Sequence, residues 1–169
     1  MPRIGDYLPR ISRTAKIVWA IAAALAVSQL GSAVANDYQF FLNETESLPN
    51  WAFWVNKNER EPARGDYFAF VPPPNPYYPS GFRFAKEIAG VPGDEVVVRG
   101  RDFYINGRFV GQAKTHDQKG AVVQMSTSGL IPPDKYFVVT PHRDSFDSRY
   151  ALVGLIDRKA LIGKAYPVL

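Results

Sequence analysis

The sequence contains no cysteine and only two histidines, His116 and His142. The absence of cysteine excludes a thiol nucleophile, a disulfide framework and a cysteine-ligated zinc site. Two histidines are also too few for a histidine-rich metal site. We therefore expect neither a metal nor another cofactor.

The sequence has no strong excess of one charge, since its net charge is only +4. Part of this charge lies in the first sixteen residues, where four basic side chains outnumber Asp6. These are Arg3, Arg10, Arg13 and Lys16. A basic flank before an apolar run is typical of membrane insertion. We therefore predict a membrane partner and no nucleic-acid binding.

Residues 17–35 form the one long uncharged apolar run, and its length is close to the ~20 residues that span a bilayer as a helix. In one interpretation it is a transmembrane signal anchor, with residues 1–16 in the cytoplasm and residues 36–169 as a periplasmic domain. In the other it is a cleaved signal peptide, because Ala33-Val34-Ala35 offers a small-x-small cleavage site. The mature protein would then be soluble in the periplasm.

After residue 36 the sequence alternates between short strand patterns and turns, with no repeat and no long amphipathic helix. Residues 71–81 hold five prolines and predict a loop, and Asn106-Gly107 predicts a hairpin within residues 102–110. The other predicted strands are residues 51–55, 66–71, 82–88, 95–99, 136–139, 154–156 and 160–165. This pattern indicates a mainly antiparallel β domain that follows one N-terminal helix.

Lys86 lies on the apolar face of its predicted strand, which it shares with Phe82, Phe84 and Ile88. Burial of a charged amine is costly and lowers the lysine pKa from about 10.4. A neutral amine can serve as the general base that a serine nucleophile needs. The alternative is that Lys86 lies on an edge strand and extends its amine to solvent.

Two further segments carry hydroxyl groups. Residues 43–49 include Thr45 and Ser47, and residues 145–150 read Ser-Phe-Asp-Ser-Arg-Tyr. Taken alone, a serine in such a loop is usually a turn or cap residue, and residues 145–149 could form an Asx-type turn.

Together the three segments resemble the motifs of the signal peptidase I superfamily. Residues 86–94 match Lys-x-(Ile/Val)-x-Gly-x-Pro-Gly-Asp, and residues 145–154 match Ser-x-Asp-Ser-Arg-Tyr-x-x-x-Gly. The resemblance implies that Ser47 is the nucleophile and Lys86 the general base. It also implies that Thr45 helps to bind the oxyanion and that Ser145 orients the lysine amine. Asp147 and Arg149 would hold their loop in shape.

Two departures from the housekeeping leader peptidase point to a branch of this superfamily. Pro49 follows Ser47 by two residues rather than three, and residues 141–144 replace the usual Gly-Asp-Asn-Arg. Both features are similar to the conjugative-transfer TraF-type peptidases. That resemblance implies a serine endopeptidase that matures an exported precursor, above all the pilin of a mating-pair (type IV secretion) apparatus. Some members of the branch also join the pilin ends into a ring.

Two other kinds of function stay open from the sequence. One is a non-catalytic periplasmic module that binds a subunit of the transfer apparatus, and the other is a generic outer-surface β protein. Retention of Ser47, Lys86 and Ser145 together argues against the first. A Ser-His-Asp triad of Ser145, His142 and Asp144 is not expected, because triads are assembled from distant segments.

Aromatic residues after the nucleophile segment have two interpretations. Trp51, Phe53 and Trp54 could rest at the lipid interface of the inner membrane, or they could belong to the β core. Tyr77 and Tyr78 in the proline-rich loop could contact lipid or substrate, or they could cap the core.

Overall fold

A computed structural model of the protein describes residues 12–42, 50 and 52–168. The predictions made for Thr45, Ser47 and Trp51 therefore lie outside the described residues. The chain divides into two compact units, one ending at Asp37 and the other beginning at Tyr38.

The first unit contains a single helix, α1, which spans Arg13–Asp37 and includes the predicted apolar run. Its 25 residues correspond to about 38 Å, enough to cross the ~30 Å hydrocarbon core of a bilayer. The hydroxyl of Ser12 accepts the backbone N–H of Ala15 at 3.1 Å, which satisfies one of the free donors at the helix start. Large apolar side chains such as Trp19 and Leu25 are exposed on this unit. The helix is thus long and apolar enough to serve as a signal anchor.

The second unit is built from short antiparallel strands. In chain order they are β1 Tyr38–Leu42, β2 Ala52–Asn56, β3 Tyr67–Phe70, β4 Phe84–Gly90, β5 Glu95–Arg99, β6 Asp102–Ile105, β7 Arg108–Gln112, β8 Gly129–Leu130, β9 Lys135–Val139, β10 Ile156–Asp157 and β11 Leu161–Pro167. A 3-10 turn, Arg158–Ala160, connects the last two.

These strands form two sheets. The first sheet has the order β1-β2-β11-β3-β4-β9-β10, and the second has the order β7-β6-β5-β8. Each pairing within them is antiparallel. The predicted fold class, a mainly antiparallel β domain with one N-terminal apolar helix, is confirmed.

Local sequence signals explain most of the strands. Asn106 and Gly107 both have positive φ angles, of 48° and 81°, as the predicted two-residue hairpin turn requires. Residues 71–81 form a loop as predicted. The prediction of a strand over residues 154–156 is wrong in its first part, because the N–H of Gly154 closes a turn onto the carbonyl of Tyr150 at 2.9 Å. The strand begins only at Ile156.

The core of the first sheet is aromatic and surrounds β4. Its buried members include Phe68, Phe70, Phe84, Ile88 and Val138. Phe84 and Ile88 lie on either side of Lys86 on the same face of β4, as the alternation predicted. The fold therefore places the lysine side chain within an apolar layer.

Candidate active site

Lys86 is held on a central strand, since β4 pairs with β3 on one side and with β9 on the other. Its residue exposure is only 3%. The amine therefore does not reach solvent from an edge strand. The pairing of β4 with β3 places Lys86 directly opposite the fully buried Phe68.

The Lys86 amine donates a hydrogen bond to the Ser145 hydroxyl, with an Nζ–Oγ distance of 2.8 Å. Ser145 is itself only 2% exposed, and the two residues are 59 positions apart in the chain. The amine also lies 5.3 Å from the centroid of the Phe84 ring. The ion pairs found among the described residues do not include Lys86.

Burial lowers the pKa of Lys86 to about 8. The negative charge of Asp147 raises this pKa and the positive charge of Arg149 lowers it, so these two neighbours oppose each other. With a pKa of about 8, roughly one lysine in ten is neutral at pH 7, compared with fewer than about one in a thousand for an ordinary lysine. The site thus contains an amine that can accept a proton near neutral pH.

Asp147 and Arg149 form a buried, two-pronged ion pair. The guanidinium Nε and Nη2 atoms each donate to one carboxylate oxygen, both at 2.8 Å. Asp147 also accepts the backbone N–H of Thr140 at 3.3 Å, while Arg149 donates to the carbonyl of Gln112 at 3.0 Å. Because each charge is matched in this way, burial of the pair does not leave an unpaired ion. The pair ties the Ser145 loop, residues 145–150, to the residue after β9 and to the last residue of β7.

The turn after β4 is fixed by Asp94, a nearly buried carboxylate. It accepts hydrogen bonds from Arg64 Nε at 2.8 Å, from Asn106 Nδ2 at 2.8 Å and from the backbone N–H of Val91 at 2.9 Å. The hydrogen bond from Arg64 is the main reason that the pKa of Asp94 falls to about 2. Sequence reasoning missed the roles of Arg64 and Asn106, because neither lies near Asp94 in the chain.

Gly90, another residue of the Lys86 motif, lies where a side chain would be crowded, and its φ angle is not positive. A Cβ at this position would lie 2.5 Å from Ile131 Cδ1 and 3.1 Å from Phe137 Cβ. This close approach lets the end of β4 pack against the core of the second sheet, which includes both neighbours.

Comparison with known proteins assigns this arrangement to a family. Residues 12–169 match the family model described as signal peptidase, peptidase S26. The chain belongs to this signal peptidase family. The predicted resemblance is therefore confirmed, and membership supports a peptidase-related function.

Relatives of this signal peptidase family member fall into two groups. A probable signal peptidase I-2 from Synechocystis sp. is 32% identical over 114 residues, which cover 63% of this chain and 48% of the relative. A signal peptidase I from Bacillus licheniformis is 34% identical over 88 residues, or 47% of each chain. The chain thus spans about half the length of these two relatives. In contrast, a conjugal transfer protein TraF from Agrobacterium tumefaciens is 26% identical over 170 residues, which cover 90% of this chain and 94% of the relative.

A solved structure of a signal peptidase I from Enterococcus faecalis is also similar. It is 27% identical, with a TM-score of 0.43, and the match covers 63% of this chain and 97% of that chain.

Among the described residues, the structure brings together four of the six predicted site residues: Lys86, Ser145, Asp147 and Arg149. The predicted nucleophile and its hydroxyl neighbour, Ser47 and Thr45, lie outside the described residues. His142 accepts the backbone N–H of Asp144 through its Nδ1 atom at 3.2 Å. The Ser145 hydroxyl accepts its hydrogen bond from Lys86.

The aromatic residues that the sequence left open separate into core and surface. Phe53 is buried in the core, whereas Trp54 is 40% exposed. Tyr78 packs edge-on against Phe84, with ring centroids 4.8 Å apart, so it caps the core as one interpretation proposed. Tyr77 is partly exposed and donates its hydroxyl to Asp117 at 3.0 Å.

Proposed function

We propose that this chain is a serine endopeptidase that uses Ser47 as nucleophile and Lys86 as general base. The observation that carries this proposal is the buried Lys86 amine, hydrogen-bonded to Ser145 at 2.8 Å with its pKa lowered to about 8 by burial. A surface lysine would be protonated near neutral pH and could not accept a proton from a hydroxyl. Membership in the signal peptidase family supports the assignment.

The proposed reaction is acyl transfer through a covalent intermediate. Neutral Lys86 accepts the Ser47 hydroxyl proton while Ser47 Oγ attacks the scissile carbonyl. The backbone N–H of Ser47, with the help of Thr45, stabilises the oxyanion. Lys86 then returns the proton to the leaving amine as the peptide bond breaks, which leaves the acyl group on Ser47.

The acyl-enzyme can be resolved in two ways. A water molecule gives a cleaved polypeptide with a free carboxylate, and an amine of the same substrate gives a new peptide bond and a ring. In either case Ser145 positions the Lys86 amine through the hydrogen bond already described. The Asp147–Arg149 pair holds the Ser145 loop, and its opposing charges leave burial as the main influence on the pKa of Lys86.

We further propose an exported precursor as substrate, namely a conjugative pilin that is cut after a small residue. This rests on the similarity to conjugal transfer proteins named TraF, one of which aligns over 94% of its length. In this proposal residues 1–16 are cytoplasmic, residues 17–35 anchor the chain in the bacterial inner membrane, and residues 36–169 act in the periplasm.

The same proposal includes contact between the second unit and membrane lipid. Phe40, Trp54 and Tyr166 occupy the same register on β1, β2 and β11, and therefore form a row on one face of the first sheet. They are 48%, 40% and 39% exposed. β1 follows the apolar helix directly in the chain, so this exposed row and the proposed anchor belong to neighbouring segments of the sequence. Tryptophan and tyrosine side chains concentrate at membrane–water interfaces.

The test compares Ser47→Ala and Lys86→Met with two matched controls on exposed residues, Ser80→Ala and Lys159→Met. Each variant is produced with the pilin precursor in the same cells, and the mature pilin is analysed by mass spectrometry. We expect both site variants to lose processing by a factor of at least about 10³, and both controls to retain it. The mass also separates simple cleavage from ring closure, since ring closure removes one further water.

Unchanged processing in either site variant, with normal amounts of protein, would discard the Ser47–Lys86 dyad. It would favour the non-catalytic binding module.

A further inference from the structure

A cavity of about 310 Å³ adjoins Ser145 and has aromatic walls from two loops. Tyr77 and Tyr78 come from the proline-rich loop, and Phe146 and Tyr150 come from the Ser145 loop. We propose that this cavity binds one large apolar side chain of the substrate, on the leaving-group side of the cut bond. The inference rests on the proposed peptidase function and adds a specificity site to it.

The ring contacts show that these walls form one connected surface. Phe146 contacts Tyr77 edge-on at 5.3 Å and stacks against Tyr78 at 6.0 Å and Tyr150 at 6.4 Å, measured between ring centroids. Val123 adds an aliphatic side chain to the lining. Aromatic and aliphatic walls of this kind favour an apolar occupant.

The position of the cavity next to the base indicates that it receives a side chain from the leaving-group side of the substrate. Ser145 lines the cavity and is bonded to the Lys86 amine at 2.8 Å, so a cavity wall lies one hydrogen bond from the base. A base that first accepts the nucleophile's proton must next deliver it to the leaving nitrogen. The first residue of the leaving peptide therefore lies next to the base, and its side chain is the one within reach of the cavity.

The two carboxylates in the cavity lining already have partners within the chain. Lys114 pairs with Asp144. Asp117 accepts the hydroxyl of Tyr77 and the backbone N–H groups of Lys119 and Ala121 at 3.0, 2.8 and 2.8 Å. Neither carboxylate therefore needs a cation from the substrate, which favours an apolar side chain over lysine or arginine.

The size of the cavity limits its occupant. Its volume of about 310 Å³ lies at the lower end of the range for ligand pockets, about 300–1,000 Å³. One phenylalanine or leucine side chain suits this space better than a folded segment does.

The experiment measures how product-like peptides bind to the full chain in detergent micelles, by NMR titration. The pentapeptides have a free N-terminal amine, as the leaving peptide has, and differ only in their first residue: Phe, Ala or Lys. We expect the Phe peptide to bind at least about tenfold more tightly than the Ala peptide. The Lys peptide should show no such gain.

Two variants test whether the cavity causes this preference. Val123→Trp fills the cavity and Tyr77→Ala removes one wall, so each should bring the ratio of the two Kd values close to one. Phe109→Ala is the matched control, since Phe109 is an exposed aromatic residue of β7 that does not line this cavity. Circular dichroism checks that each variant is folded.

Equal Kd values for the Phe and Ala peptides, tighter binding of the Lys peptide, or a preference that survives both variants would overturn the inference. The fate of the peptidase function is read separately from pilin processing. A Phe preference without any processing would contradict that function and not the cavity, while processing without a Phe preference would contradict the cavity alone.

Discussion

The burial that lowers the pKa of Lys86 also costs stability. A lysine that titrates at about 8 in the fold and at 10.5 in the unfolded chain binds its proton more weakly when folded. The unfolded state therefore holds more protons between these two values, so stability rises as the pH increases from about 8 to 10.5. Below about pH 8, burial of the charged amine therefore lowers the free energy of unfolding by about 3 kcal/mol.

Replacement of Lys86 by methionine should remove this cost. We expect Lys86→Met to raise the free energy of unfolding by about 1–3 kcal/mol at pH 7, because loss of the hydrogen bond to Ser145 offsets part of the gain. The gain should shrink as the pH approaches 10.5. Urea unfolding in detergent between pH 6 and 10 measures both effects, with Lys159→Met as the exposed control. A variant less stable than the wild type at pH 7 would mean that the fold stabilises the charged amine.

For single residues, the sequence predicts the burial of Lys86 better than it predicts the hydrogen-bond partner of Lys86. The alternation of Phe84, Lys86 and Ile88 is a local signal and correctly predicts the buried face. The bond to Ser145 joins residues 59 positions apart, so no periodicity could predict it and only the family resemblance pointed to it. The Arg64–Asp94 pair had no such help and was missed.

Among the elements, the turn after β4 controls how the lysine strand meets the second sheet. Asp94 bonds both to Val91 in its own turn and to Asn106 in the β6–β7 hairpin turn. Two turns that belong to different parts of the chain are thereby fixed to one carboxylate.

Asp94→Asn should lower the free energy of unfolding by about 1–2 kcal/mol at pH 7. A charged hydrogen bond is lost, but the partner Arg64 is half exposed and its contribution is partly screened. Since the pKa of Asp94 is lowered to about 2, this contribution is complete above about pH 4 and disappears as the pH falls towards 2. The difference between variant and wild type should therefore narrow over that range in thermal unfolding. An equal loss in the exposed control Glu95→Gln would show that Asp94 has no special role.

The strands that could be predicted from the sequence are those whose own residues carry a local signal. The β6–β7 hairpin could be predicted because Asn106-Gly107 fixes its turn, and β9 because residues 136–139 are continuously apolar. The short strand β8, Gly129–Leu130, could not, since two residues carry no period and pair only because β5 offers a free edge.

For the whole molecule, the exposed aromatic row of Phe40, Trp54 and Tyr166 should meet lipid. In a chain that keeps Trp54 but carries Trp19→Phe and Trp51→Phe, we expect lipids brominated close to the headgroup to quench the tryptophan fluorescence. A matched chain carries Phe109→Trp as its only tryptophan, at an exposed site on the second sheet, and should be quenched far less. Equal quenching of both chains, or none at Trp54, would contradict the proposed contact.

The order of strands in the first sheet also has a consequence for biogenesis. β11, the last strand along the chain, lies between β2 and β3. The segment from β1 to β10 therefore contains a gap in its main sheet until residues 161–167 arrive. A ribosome that still holds those residues thus keeps the main sheet unfinished, and the sheet can close only once synthesis has passed them.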